Sequence, residues 1–333
     1  MKQTKTYNQK LIQSVIENGP QPLYEIFNNE SVERILSGVT LEKTLFRGKR
    51  SQTSLSIKSV DAGQDLARIF GLNPKIFADK YLQATSGDGQ EARRIRTLHS
   101  SSLLCLLCFY GVSEERPLNL NLEGHQVAFT SSKFEVKNPV GTDETGKEHN
   151  SNMDVVLYGK DSQTGKKVIL FLESKFSEYM AWGKYSGISN HVYRKVYARL
   201  SHDGVLERMG LKYEECPDNP AYSDLAPIKG STLHYTGGIK QIVSHFLGVK
   251  NAVAGKQFDD YDIYLGEILY KFPDSLEDAN LKFKDYVQLY NTLAEGLNQL
   301  SEDKIKVLGQ CLTYQDAFKD YDLEESVRTF YSL

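Results

Sequence analysis

Hydrophobic residues recur along this chain with two different periods, and the change between them divides it. Residues 1–85 read as short helical pieces separated by turn signals such as Asn18-Gly19-Pro20 and Gly71-Leu72-Asn73-Pro74. After the polar break Thr85-Ser86-Gly87-Asp88-Gly89, the stretch Gln90–Tyr110 holds neither Gly nor Pro and ends in Leu103-Leu104-Cys105-Leu106-Leu107-Cys108-Phe109-Tyr110. That pattern predicts one long helix whose second half is buried on most sides. Strand signals follow at His125–Thr130, Lys133–Lys137, Met153–Tyr158 and Lys167–Glu173. The last two are joined by Gly159-Lys160-Asp161-Ser162-Gln163-Thr164-Gly165-Lys166, which has hairpin-loop chemistry. Because Val168-Ile169-Leu170-Phe171-Leu172 does not alternate, it predicts a central strand covered on both faces. A loop-rich insert at about 176–236 leads to a helix at Gly238–Val249 and a strand at Tyr261–Tyr270. Amphipathic helices built around Leu281–Leu300, Lys304–Leu312 and Ala317–Tyr331 close the chain.

The expected organisation is a mixed α/β core at 86–275, a helical N-terminal extension at 1–85 and a C-terminal helical extension at 276–333. With 40% hydrophobic residues, a chain of 333 residues can bury a sizeable core. Neither a run of about 18 apolar residues nor an apolar leader is present, so a cytoplasmic protein without membrane spans is expected. Four scattered cysteines argue against a disulfide framework. The lone Cys105-x-x-Cys108 is filled and flanked by apolar residues, which reads as buried helix rather than a metal pair.

Chemistry enters at the end of the central strand. Glu173 and Lys175 are two residues apart, so both side chains leave one face while Ser174 leaves the other. Buried charges need compensation. If Asp154 lies opposite Glu173 in an antiparallel hairpin, the turn centres on Gln163-Thr164, inside the expected loop. The two carboxylates would then stand within about 4.5–5.5 Å at Cβ, a distance that invites a cation between them. Hard divalent ions take such all-oxygen sites and share them with phosphate oxygens. A Glu-x-Lys triplet arises by chance on the order of once per chain, and this sequence has three. Glu302-Asp303-Lys304 starts an expected helix, and Glu135-Val136-Lys137 lacks an acid-bearing hairpin partner upstream. Only Glu173-Ser174-Lys175 combines a buried strand, a preceding strand with an Asp and a loop of matching length.

Asn152-Met153-Asp154, followed by Val168–Leu172 and Glu173-Ser174-Lys175, resembles the PD-(D/E)XK nuclease signature, with Met153 where the motif has Pro. The order of elements resembles that superfamily's αβββαβ core, a central mixed sheet flanked by helices. Leu98-His99-Ser100-Ser101-Ser102-Leu103 and Gln241…His245 are similar to a bacterial restriction-endonuclease-like family. The resemblance implies Mg²⁺-dependent endonuclease hydrolysis of DNA, with Mn²⁺ as a substitute, in restriction, defence or repair. It also implies Asp154, Glu173 and the Ser174 backbone carbonyl near metal and Lys175 near the attacking water. A further acid often joins such sites: Glu135 or Glu91 is the candidate, Glu135 the better, with a plain surface carboxylate as the competing reading. The competing functions are a catalytically silent nucleic-acid-binding protein of the same fold and a nuclease acting on RNA. A homodimer would suit double-strand cutting.

The net charge of −3 is unevenly distributed. Residues 259–333 hold 16 Asp and Glu against 7 Lys and Arg, leaving +6 on residues 1–258. Two acid-free stretches, Tyr179–Leu200 and Leu225–Phe258, supply candidate phosphate contacts at Lys184, Arg194, Lys195, Arg199, Lys240 and Gln241. Tyr179, Trp182, Tyr185, Tyr193 and Tyr197 interleave with the first basic group, and stacking on bases competes with an ordinary subdomain core. Arg93, Arg94 and Arg96 offer further backbone contacts or a solvated helix start. Gln241 and His245 are one helical turn apart, so both can face the site, although a lone helical His is more often a structural hydrogen-bonder.

Overall fold

The computed structural model describes residues 5–18, 22–46, 52–86, 91–142, 146–180, 191–215, 223–228, 237–255, 258, 260–301 and 305–333. The N-terminal segment is more than short helices. Helices α1 (Tyr7–Asn18) and α2 (Glu30–Ile35) precede an antiparallel hairpin, β1 (Thr40–Phe46) and β2 (Gln52–Lys58), which the sequence reading missed. Helices α3 (Ala62–Ile69) and α4 (Pro74–Ala84) follow, the latter started by Pro74 in its first turn and by the Asn73 side chain, which accepts from the Lys75 and Ile76 amides.

The long helix expected over Gln90–Tyr110 is broken. Only α5 (Glu91–Arg94) and α6 (Ser101–Phe109) are helical. Between them the backbone docks onto β2: the Ile57 amide donates to Arg96 O at 2.8 Å and the Leu98 amide to Leu55 O at 3.0 Å. A bridge to a neighbouring strand satisfies the same backbone groups that a helix would, so tertiary pairing overrides helix propensity here. Ser100 restarts the helix by accepting from the Leu103 amide. Cys105 and Cys108 are buried on α6, as their apolar neighbours indicate.

Strands β3 (Leu118–Leu122), β4 (His125–Thr142), β5 (Glu148–Asp161) and β6 (Lys167–Lys175) form an antiparallel run. β3 was not anticipated, and the two strand pieces expected within β4 are one long strand with a register shift between Phe129 and Ser131. The insert after β6 is more ordered than a loop. It contains α7 (His191–His202), α8 (Val205–Arg208) and a hairpin of β7 (Leu211–Glu215) and β8 (Ser223–Pro227). Then come α9 (Gly237–Ala254), β9 (Tyr261–Leu269) and α10 (Glu277–Leu300). Instead of the helix expected around Lys304–Leu312, the described residues there include two short strands, β10 (Lys306–Val307) and β11 (Leu312–Thr313). Helices α11 (Tyr314–Ala317) and α12 (Glu325–Tyr331) end the chain, the one helix expected over Ala317–Tyr331 being cut into these two.

Among the described residues the central sheet has seven strands: β10, β9, β6, β5, β4 and β3 lie side by side, and β11 also pairs with β9. β9 runs parallel to β6, so the sheet is mixed, as expected. One face packs on the N-terminal elements, α6, α11 and α12, with Val168, Leu170 and Leu172 of β6 facing them. The other packs on α7, α9 and α10, with Ile169 and Phe171. Central β6 is therefore covered on both sides, in agreement with its unbroken apolar run. Gly248 lets α9 come close to the sheet, since a Cβ there would lie 2.4 Å from the Ser151 hydroxyl.

Candidate active site

The β5–β6 hairpin fixes the site. Asp161 closes its loop by accepting from the Gln163 and Thr164 amides at 2.8 Å each, and Gly165 takes the left-handed conformation at φ 72°. The resulting ladder ends at the rung Val155–Leu172. One step further, the same register sets Asp154 against Glu173, as the loop length predicted. Glu173 and Lys175 continue the Ile169–Phe171 face, while the Ser174 hydroxyl lies on the opposite face, 2.7 Å from Tyr314 Oη and 3.2 Å from Ser101 O.

The charged groups are tightly held. Asp154 Oδ2 accepts from the Ser174 amide at 2.7 Å. Lys175 Nζ lies 2.5 Å from Glu173 Oε1 and donates to Gln241 Oε1 at 2.7 Å. Gln241 Nε2 in turn donates to Glu173 Oε1 at 2.9 Å. His245 brings Nε2 to 2.9 Å from Glu173 Oε2, an ion-pair distance without hydrogen-bond alignment. Gln241 and His245 thus share the face of α9 that covers the strand end. Glu173 is 5% exposed and Lys175 2%, so these contacts replace solvent for both.

Electrostatics sets the two carboxylates apart. Burial pushes the Asp154 carboxyl well above the usual range, and the Glu173 charge pushes it further. Burial acts on Glu173 in the same direction, but the Lys175 ammonium and then His245 outweigh it and hold its carboxyl at about 2. A carboxylate opposed by another carboxylate, with only one lysine nearby, is a position that a further cation would relieve. The donor set is all oxygen. Among the described residues no three His, Cys, Asp or Glu side chains are gathered tightly enough to cage an ion. Two carboxylates with waters and substrate oxygens are a coordination that Mg²⁺ accepts, so these residues fit that ion.

Other candidates are sorted by position. Glu135 lies between the rungs Phe134–Val155 and Val136–Met153, which sets it against Asp154 on the side away from Glu173. Its φ of 50° is unusual for a side-chain-bearing residue, and its charge adds to the upward push on Asp154. Glu91 begins α5, and its side chain lies outside the described residues. Lys184, Trp182 and Tyr185 also lie outside them. Tyr179, Tyr193 and Tyr197 are buried, so for these three rings the core reading holds and base stacking is ruled out by their packing. Lys195 and Arg199 are exposed on α7, with Arg199 bonded to Asp203 at 2.7 Å, and Arg194 is half-buried. Lys240 lies over the Tyr193 ring at 6.0 Å, joining α9 to α7 beside the site. Gln241 belongs to the charge network itself rather than to an outlying phosphate contact. Lys250 is bound to Leu300 O at 2.8 Å. Arg93 and Arg94 are exposed, whereas Arg96 donates to Ser59 O at 3.4 Å.

The sequence reading missed Glu267. It pairs with Glu173 across the parallel β6–β9 ladder and is 1% exposed. The signal was an acid alone in the apolar run Leu265-Gly266-Glu267-Ile268-Leu269. Burial raises its carboxyl to about 7, against the attraction of Lys175 and a 2.6 Å hydrogen bond donated by Tyr286 Oη.

Among the described residues no helix is long and apolar enough to cross a membrane. No curated protein and no solved structure gives a significant match to the chain. Residues 72–223, somewhat less than half of the chain, match the family model described as Restriction Endonuclease associating with ARP, and over that segment the chain is similar to a restriction-endonuclease-like family.

Proposed function

We propose that this protein is a metal-dependent endonuclease that hydrolyses DNA phosphodiester bonds at the Asp154, Glu173 and Lys175 cluster. The observation that carries the reading is the strand register, which sets Asp154 against Glu173 with Lys175 on the same buried face. Asp154, Glu173 and the Ser174 carbonyl are the groups that would hold Mg²⁺ or Mn²⁺, with Glu135 as the further acid beside Asp154. When bound, the ion supplies positive charge that polarises the phosphoryl group and acidifies a water. Lys175 contributes a second positive charge where the attacking water and the pentavalent phosphorus develop negative charge. Gln241 and His245 orient Glu173, and Gln241 also fixes the direction of the Lys175 ammonium. Lys195, Arg199, Arg194 and Lys240, on two helices packed beside the site, supply the phosphate contacts.

The test is purified protein with supercoiled plasmid, in Mg²⁺ or Mn²⁺ against EDTA, alongside Asp154→Ala and Lys175→Ala. Metal-dependent nicking that both substitutions abolish is the expected result. Cleavage that survives both rejects this site, and binding without cleavage in every metal favours a silent nucleic-acid-binding protein. The same assay with RNA separates the two substrates.

A further inference from the structure

Glu267 is a buried acid for which the reaction outlined above has no use. Tyr286 satisfies Oε2, but Oε1 is buried without a hydrogen-bond partner. An unsatisfied buried carboxylate oxygen is costly, and Gln or Leu would fill the same place in β9 at less expense. Its neighbours are Tyr286 and Tyr290 from α10, Cys311, Glu178 after β6, and Glu173 with Lys175 on β6 itself. Lys175 is the cation among them.

The ladder geometry explains how the two can meet. Neighbouring strands lie about 4.8 Å apart, and two residues along a strand span about 6.6 Å. The Lys175 side chain folds back along β6 by that distance, because its ammonium reaches the Glu173 carboxylate two residues earlier. Glu267 shares the rung of Glu173. The ammonium therefore sits at a rung that carries a carboxylate on each of two adjacent strands, and it is hydrogen-bonded to Glu173.

From this arrangement we infer that Glu267 is a positioning residue, a second carboxylate facing the Lys175 ammonium, which keeps that cation charge-balanced when Glu173 turns to a divalent ion. The functional half of this statement rests on the metal-dependent reading; the electrostatic coupling of the two side chains does not. With Glu173 as its sole acidic partner, Lys175 would compete with the ion for the same oxygens. With Glu267 in place, Glu173 can be given up while the ammonium, still bonded to the neutral Gln241, keeps a carboxylate nearby to balance its charge.

A double-mutant cycle tests the coupling without metal or activity. Thermal midpoints are measured at pH 8 for the wild-type protein, Glu267→Gln, Lys175→Met and the double variant. Gln relieves the buried carboxylate in both backgrounds, but only with Lys175 present does it also forfeit the attraction. Glu267→Gln is therefore expected to raise the midpoint by about 2–4 °C more in the Lys175→Met background than in the wild type. Equal shifts in the two backgrounds overturn the inference, since a packing role alone gives the same change in each. If Lys175→Met does not fold, recovery of folding in the double variant supports the coupling, and failure of the double variant as well overturns it.

The second arm is Mn²⁺ binding by electron paramagnetic resonance. Glu267→Gln is expected to weaken Mn²⁺ binding about tenfold, at the low end of outer-shell substitutions at metal sites. Unchanged affinity overturns the alternate-partner role. A wild-type protein that does not take up Mn²⁺ defeats the metal-dependent reading and with it this role, while the thermal cycle still decides whether the two side chains are coupled.

Discussion

Two Glu-x-Lys triplets lie on the same sheet one strand apart, and they have opposite fates. Glu173-Ser174-Lys175 ends β6, which has β5 on one side and β9 on the other, with cores on both faces. Glu135-Val136-Lys137 lies in β4 beyond the reach of β3, so among the described residues only β5 pairs with it there. Lys137 is exposed, whereas Lys175 is enclosed. The same residue types two apart therefore give an exposed lysine in one place and an enclosed ion pair in the other. What sets the enclosed triplet apart is a second neighbouring strand and the Gln241 and His245 side chains that α9 aims at it, which leave each charge dependent on a named partner.

The contrast can be broken by experiment. Lys175→Ala is expected to lower plasmid cleavage by about 10²–10⁴-fold, while Lys137→Ala leaves it unchanged; equal losses from the two would show that enclosure is irrelevant. A smaller effect should come from His245→Ala and from Glu135→Ala, about 10–100-fold each, measured as initial nicking rates in Mg²⁺. Full activity of the His245 variant would show that Gln241 alone gives Glu173 the support it needs from α9. Stability separates the triplets further: breaking the Glu173–Lys175 pair by Lys175→Met should cost about 3–5 kcal/mol in urea unfolding, and Lys137→Met should have no measurable effect.

The smallest expected effect is on pH dependence. The Glu173 carboxyl is held at about 2 in the fold and starts from 4.5, so its stabilising contribution is complete above about pH 4.5 and is lost as pH falls toward 2. Glu267 is raised from 4.5 to about 7, so its contribution is complete below about pH 4.5 and is lost as pH rises through 7. Urea midpoints measured from pH 5 to pH 8 should therefore decline toward pH 8 in the wild type and decline less in Glu267→Gln. Parallel curves would remove Glu267 from the buried charge balance.

The hairpin that carries the site was legible because its information is local. Asp161, Gly165 and the unbroken apolar run Val168–Leu172 specify loop, register and burial within about 20 residues. The helix bearing Gln241 and His245 was legible for the same reason, its period being self-contained. Glu267 was not, because its importance comes from a parallel pairing with a strand roughly 90 residues earlier, and nothing local encodes parallel register. The break at Arg96–Leu98 was hidden likewise, since β2 supplies the competing hydrogen bonds. Around Lys306–Val307 and Leu312–Thr313, apolar spacing compatible with a helix yields to edge pairing on β9. Tyr193 and Tyr197 show the limit of composition: aromatic and basic residues alternate along α7, but the helix turns its rings inward and leaves Lys195 and Arg199 outside.

The parallel junction of β6 with β9 also has a kinetic consequence. The β5–β6 hairpin closes a short loop of the kind that forms on the microsecond scale, whereas the β6–β9 pairing closes a loop of roughly 90 residues and is intrinsically the slower contact to make. Without that pairing, Glu173 and Lys175 would end a sheet edge with no Glu267 beside them. The charged cluster therefore draws its carboxylate pair from a local contact and its enclosure from a long-range one.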